Sequence, residues 1–132
     1  MIFTNSDGGS KGNPGPASIG VIVREDEKIL TQYSAKIGDA TNNIAEYYAL
    51  IKALELASRF TNKELICVLD SELVVKQLLG EYRVQNAKLL PLFIKVQKLQ
   101  EHFEKITYKH VSREDKFQKV VDKLLNDEMK RE

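Results

Sequence analysis

The sequence predicts an α/β fold built on a mixed five-stranded sheet, three strands antiparallel and two parallel, with helices on both faces. Three observations lead there. Apolar runs of strand length, separated by turn-forming residues, fill the first third of the chain. From Ile44 the apolar period changes to helical spacing. Beyond that point strands and helices alternate, as crossovers between parallel strands require.

Ile2 to Ser6, Ala17 to Arg24 and Lys28 to Ile37 read as the first three strands. The first two are joined by Gly8-Gly9-Ser10-Lys11-Gly12-Asn13-Pro14-Gly15-Pro16, too rich in Gly and Pro for regular structure. Glu25-Asp26-Glu27 is a short polar link suited to a hairpin, so these strands form an antiparallel meander. A long helix covers Ile44 to Phe60, where Tyr47, Leu50, Ile51, Leu54 and Ala57 recur on one face.

Lys63 to Leu69 is a nearly continuous apolar run, which suits a strand buried on both faces. Ser71 to Leu79 is a short helix closed by Gly80. Leu89 to Phe103 is a further helix with Leu92, Phe93, Val96, Leu99 and Phe103 on one face, and Pro91 fits only in its first turn. Lys105 to Val111 makes the fifth strand, and Phe117, Val120, Val121, Leu124 and Leu125 mark a C-terminal amphipathic helix.

The 132 residues, 42% hydrophobic and 30% charged with seven Gly and three Pro, suit one folded domain over 1–132 rather than a disordered or fibrous chain. Cys67 is the one cysteine and sits inside an apolar run, which excludes an intrachain disulfide and suits an inert buried thiol. No run reaches the length of a membrane span, and Met1 to Asn5 lacks the basic start of a secretion signal, so a cytoplasmic monomer is expected. The net charge of +1 gives no global attraction to polyanions. Basic residues nevertheless gather from Lys88 to Lys123, enough for a local phosphate-attracting surface.

Four acids stand where regular elements bring side chains together: Asp7 at the end of the first strand, Glu46 in the first turn of the long helix, Asp70 at the end of the fourth strand and Asp122 on the last helix. Neighbouring strand ends in such a sheet form a cleft. Carboxylates packed there repel and raise one another's pKa unless a cation compensates. Hard oxygen ligands with open positions suit Mg²⁺ or Mn²⁺, and two such ions about 4 Å apart support in-line displacement at phosphorus. Each acid also has an ordinary reading. Glu46 with Asn43 resembles a capping box, Asp70 could cap the next helix, Asp7 could serve the turn before Gly8, and Asp122 could be a solvated helix residue.

Taken together these residues carry a family pattern, and the chain resembles type 1 ribonuclease H over nearly its whole length. The segments that carry it are Asp7-Gly8-Gly9-Ser10-Lys11-Gly12-Asn13-Pro14-Gly15-Pro16, Thr41-Asn42-Asn43-Ile44-Ala45-Glu46 and Asp70-Ser71-Glu72-Leu73-Val74-Val75. The resemblance implies the ribonuclease H-like sheet and two-metal hydrolysis of the RNA strand of an RNA–DNA hybrid, leaving 5′-phosphate and 3′-hydroxyl ends. Asp7 would bridge both ions, Asp122 would help hold the ion that activates water, and Glu46 and Asp70 would complete the ion facing the leaving 3′ oxygen. Gly8, Asn13, Asn42, Asn43 and Ser71 would lie against the substrate, reading 2′-hydroxyls in the minor groove. Double-stranded RNA is left open as a second substrate.

The last site departs from the pattern. Gln118, Val120 and Val121 stand where the family has an asparagine and small residues, so Asp115 and Asp127 compete with Asp122 on spacing, although Asp122 alone leads into the matching Leu124-Leu125-Asn126. The loop histidine of many members is absent. His110 is expected to pack in the fifth strand, His102 to sit on the surface at a helix end, and Arg113 or Lys116 to replace the loop histidine. Only Glu81 to Lys88 lies where some members insert a basic protrusion, so a single catalytic domain without that protrusion or a hybrid-binding module is expected to bind weakly and with salt sensitivity. Two other readings remain: a resolvase- or integrase-like nuclease of the same fold, and a noncatalytic nucleic-acid-binding module. A phosphate-cradling loop fits poorly, because the Gly-rich segment runs from strand to strand and lacks the Lys-Ser/Thr ending.

Overall fold

The computed structural model describes residues 1–131. In chain order the elements are β1 (Ile2–Ser10), β2 (Gly15–Glu25), β3 (Lys28–Ala40), α1 (Asn42–Ala57), β4 (Glu64–Leu69), α2 (Glu72–Leu78), α3 (Leu90–Gln100), β5 (Lys105–His110) and α4 (Lys116–Lys130). The sheet order is β3-β2-β1-β4-β5, antiparallel from β3 to β1 and parallel from β1 to β5. Element order and sheet type are those expected from the periodicities.

The first turn is shorter than its composition suggests. Pairing continues through Gly8↔Ile19, Gly9↔Ser18 and Ser10↔Ala17, so glycines expected in a loop are strand residues and Asp7 lies within β1 rather than at its end. At Gly8 another backbone crosses closely, as described below, which makes glycine the residue that fits within the strand there. β3 likewise runs past Ile37 to Ala40, through an irregularity where Gly38 adopts φ 81° opposite Ala17. α3 ends at Gln100, although Phe103 still reaches the core from the turn that follows.

Helices cover both faces. On one, Ile19, Val21 and Val23 of β2 meet Ala49, Ala53 and Leu56 of α1. Beside them Tyr47, Leu50 and Leu54 pack with Leu65, Cys67 and Leu69 of β4, Val74 and Val75 of α2, and Val96 of α3. Burial pushes the Cys67 thiol up to about 12, as suits an inert core residue. α4 covers the other face, burying Gln118, Val121 and Leu125. No helix among the described residues is long and apolar enough to cross a membrane.

The helix caps displace two ordinary readings of the acids. α1 is capped by Thr41, whose Oγ1 accepts from the Ile44 N–H at 3.2 Å, so Asn43 and Glu46 are not a capping box. α2 is capped by Ser71, whose Oγ accepts from the Val74 N–H at 3.3 Å, which leaves the Asp70 carboxylate free of that task.

Candidate active site

β1 and β4 are parallel neighbours, so Asp7, late in β1, and Asp70, just past β4, emerge at the same end of the sheet. α1 brings Glu46 to that end. One carboxylate oxygen from each of Asp7, Glu46 and Asp70 lies within 4.8 Å of the other two. The three line an open cavity of about 560 Å³, which Asp122 borders from α4. Asp122 is thus at the cavity but outside the tight group of three.

Two glycines set these approaches. A Cβ on Gly8 would stand 2.3 Å from the carbonyl carbon and oxygen of Ala45, so only a bare backbone lets α1 press against β1 and deliver Glu46 beside Asp7. On the opposite face Gly20, the register partner of Asp7, lies under α4, where a Cβ would meet the Val121 carbonyl oxygen at 2.3 Å. Val121 precedes Asp122. The close crossing over Gly20 is therefore what lowers Asp122 toward Asp7.

The electrostatics are those of acids forced together. Burial pushes the Asp7 carboxyl up to about 7, the charges of Asp70 and Asp122 push the same way, and contact with the Glu46 carboxyl offsets part of the rise. Glu46 is raised well above the usual carboxylate range, by burial first and then by Asp7. Its Oε2 is buried without a hydrogen-bond partner among the described residues. Asp70 is raised by burial and held back by the Arg113 guanidinium. Clustered hard oxygens, one of them buried and unsatisfied, are a donor set that fits a divalent cation such as Mg²⁺ or Mn²⁺.

Of the other residues singled out in the sequence, Gly8, Asn42, Asn43 and Ser71 line the cavity. Asn13 is not among the lining residues. Its Oδ1 accepts from the Asn42 N–H at 3.0 Å, and the Asn42 Oδ1 accepts from the Ser10 N–H at 2.9 Å, so this pair staples the β1–β2 turn to the start of α1. The competition at the last site resolves by position. Asp115 caps α4, accepting from the Phe117 and Gln118 N–H groups at 3.1 Å, and Asp127 pairs with Lys123 at 2.7 Å, leaving only Asp122 at the cavity.

His110 belongs to β5 as expected but is exposed rather than packed, because it is the strand's last residue. Arg113 borders the cavity, whereas the Lys116 ammonium lies over the Phe117 ring at 5.1 Å. Lys11, Asn126 and Lys130 also line the cavity without having been singled out. Asn126 and Lys130 follow Asp122 at successive four-residue steps on α4, a helical spacing that identifies them once Asp122 is accepted.

The reverse transcriptase-like family matches residues 5–127. A bifunctional protein of Mycobacterium tuberculosis is 38% identical over 130 residues, covering 97% of this chain and 35% of its own length. The chain thus spans about a third of the first curated relatives it matches. Ribonuclease HI of Halobacterium salinarum is 42% identical over 108 residues, 81% of this chain and 54% of its own. Among solved structures, the N-terminal ribonuclease H domain of the mycobacterial protein superposes with a TM-score of 0.91 at 39% identity, covering 97% of this chain and 92% of that one. LC11-RNase H1, solved in complex with an RNA/DNA hybrid, gives a TM-score of 0.91 at 36% identity over 98% of this chain and 96% of its own. With sheet order, carboxylate placement and these matches in agreement, the chain belongs to the type 1 ribonuclease H family.

Proposed function

We infer that this chain hydrolyses the RNA strand of RNA–DNA hybrids, with Asp7, Glu46, Asp70 and Asp122 holding two divalent cations, Mg²⁺ or Mn²⁺. The observation that carries this reading is the group of three carboxylates within 4.8 Å of one another in an open cavity that Asp122 also borders. The hybrid-bound structure of a relative that is 36% identical over nearly the whole chain supports the substrate class.

Cations held by these four carboxylates would polarise the phosphoryl oxygen and make water a competent nucleophile at neutral pH. The chain's own residues do the rest. Asp7 is buried and shares its end of the sheet with Glu46 and Asp70, and Asp122 borders the same cavity from α4. Gly8, Asn42 and Asn43 bring backbone and amide groups to the cavity edge, where they distinguish a 2′-hydroxyl from a hydrogen. Lys11, Arg113 and Lys130 border the same cavity and draw phosphates toward it. Cleavage leaves a 5′-phosphate and a 3′-hydroxyl. The described segment 1–131 acts as one catalytic unit, as a monomer in the cytoplasm, with only a short connection from Glu81 to Lys88 between α2 and α3.

The test is cleavage of a labelled hybrid, an RNA duplex and a DNA duplex, each with Mg²⁺, Mn²⁺ or a chelator. Metal-dependent cutting of the hybrid, lost in both Asp7→Asn and Asp122→Asn, is the expected result. Equal cutting of the DNA duplex would reassign the chain to a resolvase-like nuclease. Hybrid binding with no cleavage under any metal would make it a noncatalytic binding module.

A further inference from the structure

The face of the sheet beneath α4 is unusually polar. Asn5 and Gln118 are completely buried, and Arg24 is 9% exposed. The Arg24 guanidinium lies between two rings, 4.3 Å from the centroid of Phe3 and 4.1 Å from that of Phe117. Its Nε donates to Asn5 Oδ1 at 2.9 Å. Asn5 Nδ2 donates in turn to Gln118 Oε1 at 3.1 Å, and Gln118 Nε2 donates to the Ser6 carbonyl oxygen at 2.8 Å. Ser6 precedes Asp7. The chain of hydrogen bonds therefore runs from a buried cation on β2 to the backbone beside the central carboxylate.

Apolar side chains would fill this interface at lower desolvation cost, but they hold a helix with little preference for one register. A buried amide bonded at both ends is satisfied in one placement only. Gln118 stands one turn before Asp122 on α4, and Asp122 lies outside the group of three carboxylates. How near Asp122 comes to Asp7 thus depends on where α4 rests on β1 and β2.

We propose that Gln118 is a positioning residue, which through the buried chain Arg24–Asn5–Gln118–Ser6 sets the seat of α4 and so the distance at which Asp122 shares a cation with Asp7. This rests on the reading that Asp7 and Asp122 are cation ligands. Gln118 is not itself a cation ligand and does not touch substrate; besides the Ser6 carbonyl, its amide also reaches the Asp70 carboxylate and favours its charged form, so the same seat aligns a second ligand.

The experiment compares wild type, Gln118→Met and Tyr47→Phe. Met conserves volume but has no amide, and Tyr47→Phe breaks a buried hydrogen bond elsewhere in the core. Three quantities are measured: thermal midpoint in chelator, Mn²⁺ affinity by electron paramagnetic resonance titration, and kcat and KM for hybrid against Mn²⁺ concentration. Gln118→Met is expected to weaken Mn²⁺ binding about tenfold and to raise the Mn²⁺ needed for half-maximal kcat by the same factor, with KM for hybrid unchanged. Tyr47→Phe is expected to lower the midpoint and leave Mn²⁺ affinity intact. Wild-type Mn²⁺ affinity in Gln118→Met overturns the proposal. If that variant does not fold, Gln118→Asn, which keeps the amide with a shorter reach, decides by the same titration: weakened Mn²⁺ binding supports the proposal and unchanged binding overturns it. A wild-type protein that neither binds Mn²⁺ nor cuts hybrid would instead overturn the proposed function, so the two failures are distinct.

Discussion

Nε of Arg113 lies 3.9 Å from Oδ2 of Asp70, setting a guanidinium that is 82% exposed against a carboxylate that is 9% exposed. The pair is one-sided. Screening by water leaves it little to contribute to folding, yet its charge opposes the burial that raises the Asp70 pKa and borders the carboxylate cavity. Arg113→Ala is therefore expected to change the unfolding free energy by less than about 0.5 kcal/mol while lowering kcat/KM on hybrid about tenfold. Urea denaturation and steady-state cleavage measure the two effects. Unchanged kcat/KM would mean that Arg113 merely rests on Asp70 in the free protein.

Asp7 makes metal-free stability depend on pH. Its carboxyl is raised from 3.8 to about 7 in the folded state, so between those values the folded protein holds a proton that the unfolded chain releases. Stability without metal is then greatest at low pH within this window and falls as pH rises toward 7. Asp7→Asn removes the charge, so it should flatten the profile and exceed wild type at pH 8 by on the order of 2 kcal/mol, while abolishing cleavage. Thermal midpoints in chelator at several pH values provide the check. A wild-type midpoint that climbs from pH 5 to pH 8 would contradict the assigned sign.

Gly8 and Gly9 are adjacent but should respond oppositely to an added methyl. At Gly8 the new Cβ meets the Ala45 backbone at 2.3 Å, whereas at Gly9 its nearest neighbour is the Leu125 Cδ1 at 3.5 Å, an ordinary contact. Gly8→Ala is expected to cost about 2 kcal/mol or more and to prise Glu46 from Asp7, with loss of activity. Gly9→Ala should stay within about 0.5 kcal/mol of wild type. Chemical denaturation of the two variants side by side tests the contrast.

Tyr47 follows Glu46 yet belongs to the core, where its hydroxyl donates to Gln77 Oε1 at 2.6 Å. Tyr47→Phe leaves a buried acceptor unsatisfied and should cost about 1–2 kcal/mol. Cleavage by the folded fraction should be unaffected, because the ring still supports α1. A parallel fall in kcat would show that the hydroxyl also steadies Glu46.

Lys11, Arg113 and Lys130 are the basic side chains lining the cavity. If each neutralises one phosphate, hybrid affinity should fall roughly 40-fold between about 50 and 200 mM salt through counterion release. Fluorescence anisotropy with a chelated, non-cleaving sample measures the slope. Affinity independent of salt would exclude these contacts.

Much of this architecture is written locally in the chain. Periodicity is a property of near neighbours, so the change from strand to helical spacing at Ile44, the caps and turns, and the order of nine elements could all be read before any contact was known. The acids Asp7, Glu46 and Asp70 were legible for the same reason, since each sits at an element boundary or within a recognisable flanking motif. Composition misled at Gly8, Gly9 and Ser10, where a turn-like run is strand because β2 pairs with it, and at Gly8 because α1 needs the bare backbone.

How far α1 and α4 descend onto the sheet, and hence the relation of Asp7 to Glu46 and to Asp122, is set by long-range packing. Those approaches depend on missing side chains at Gly8 and Gly20 and on the buried Gln118 amide, contacts between residues up to 113 positions apart. No local pattern encodes such distances. Local pattern establishes which acids reach one end of the sheet; packing across both faces sets how closely they meet.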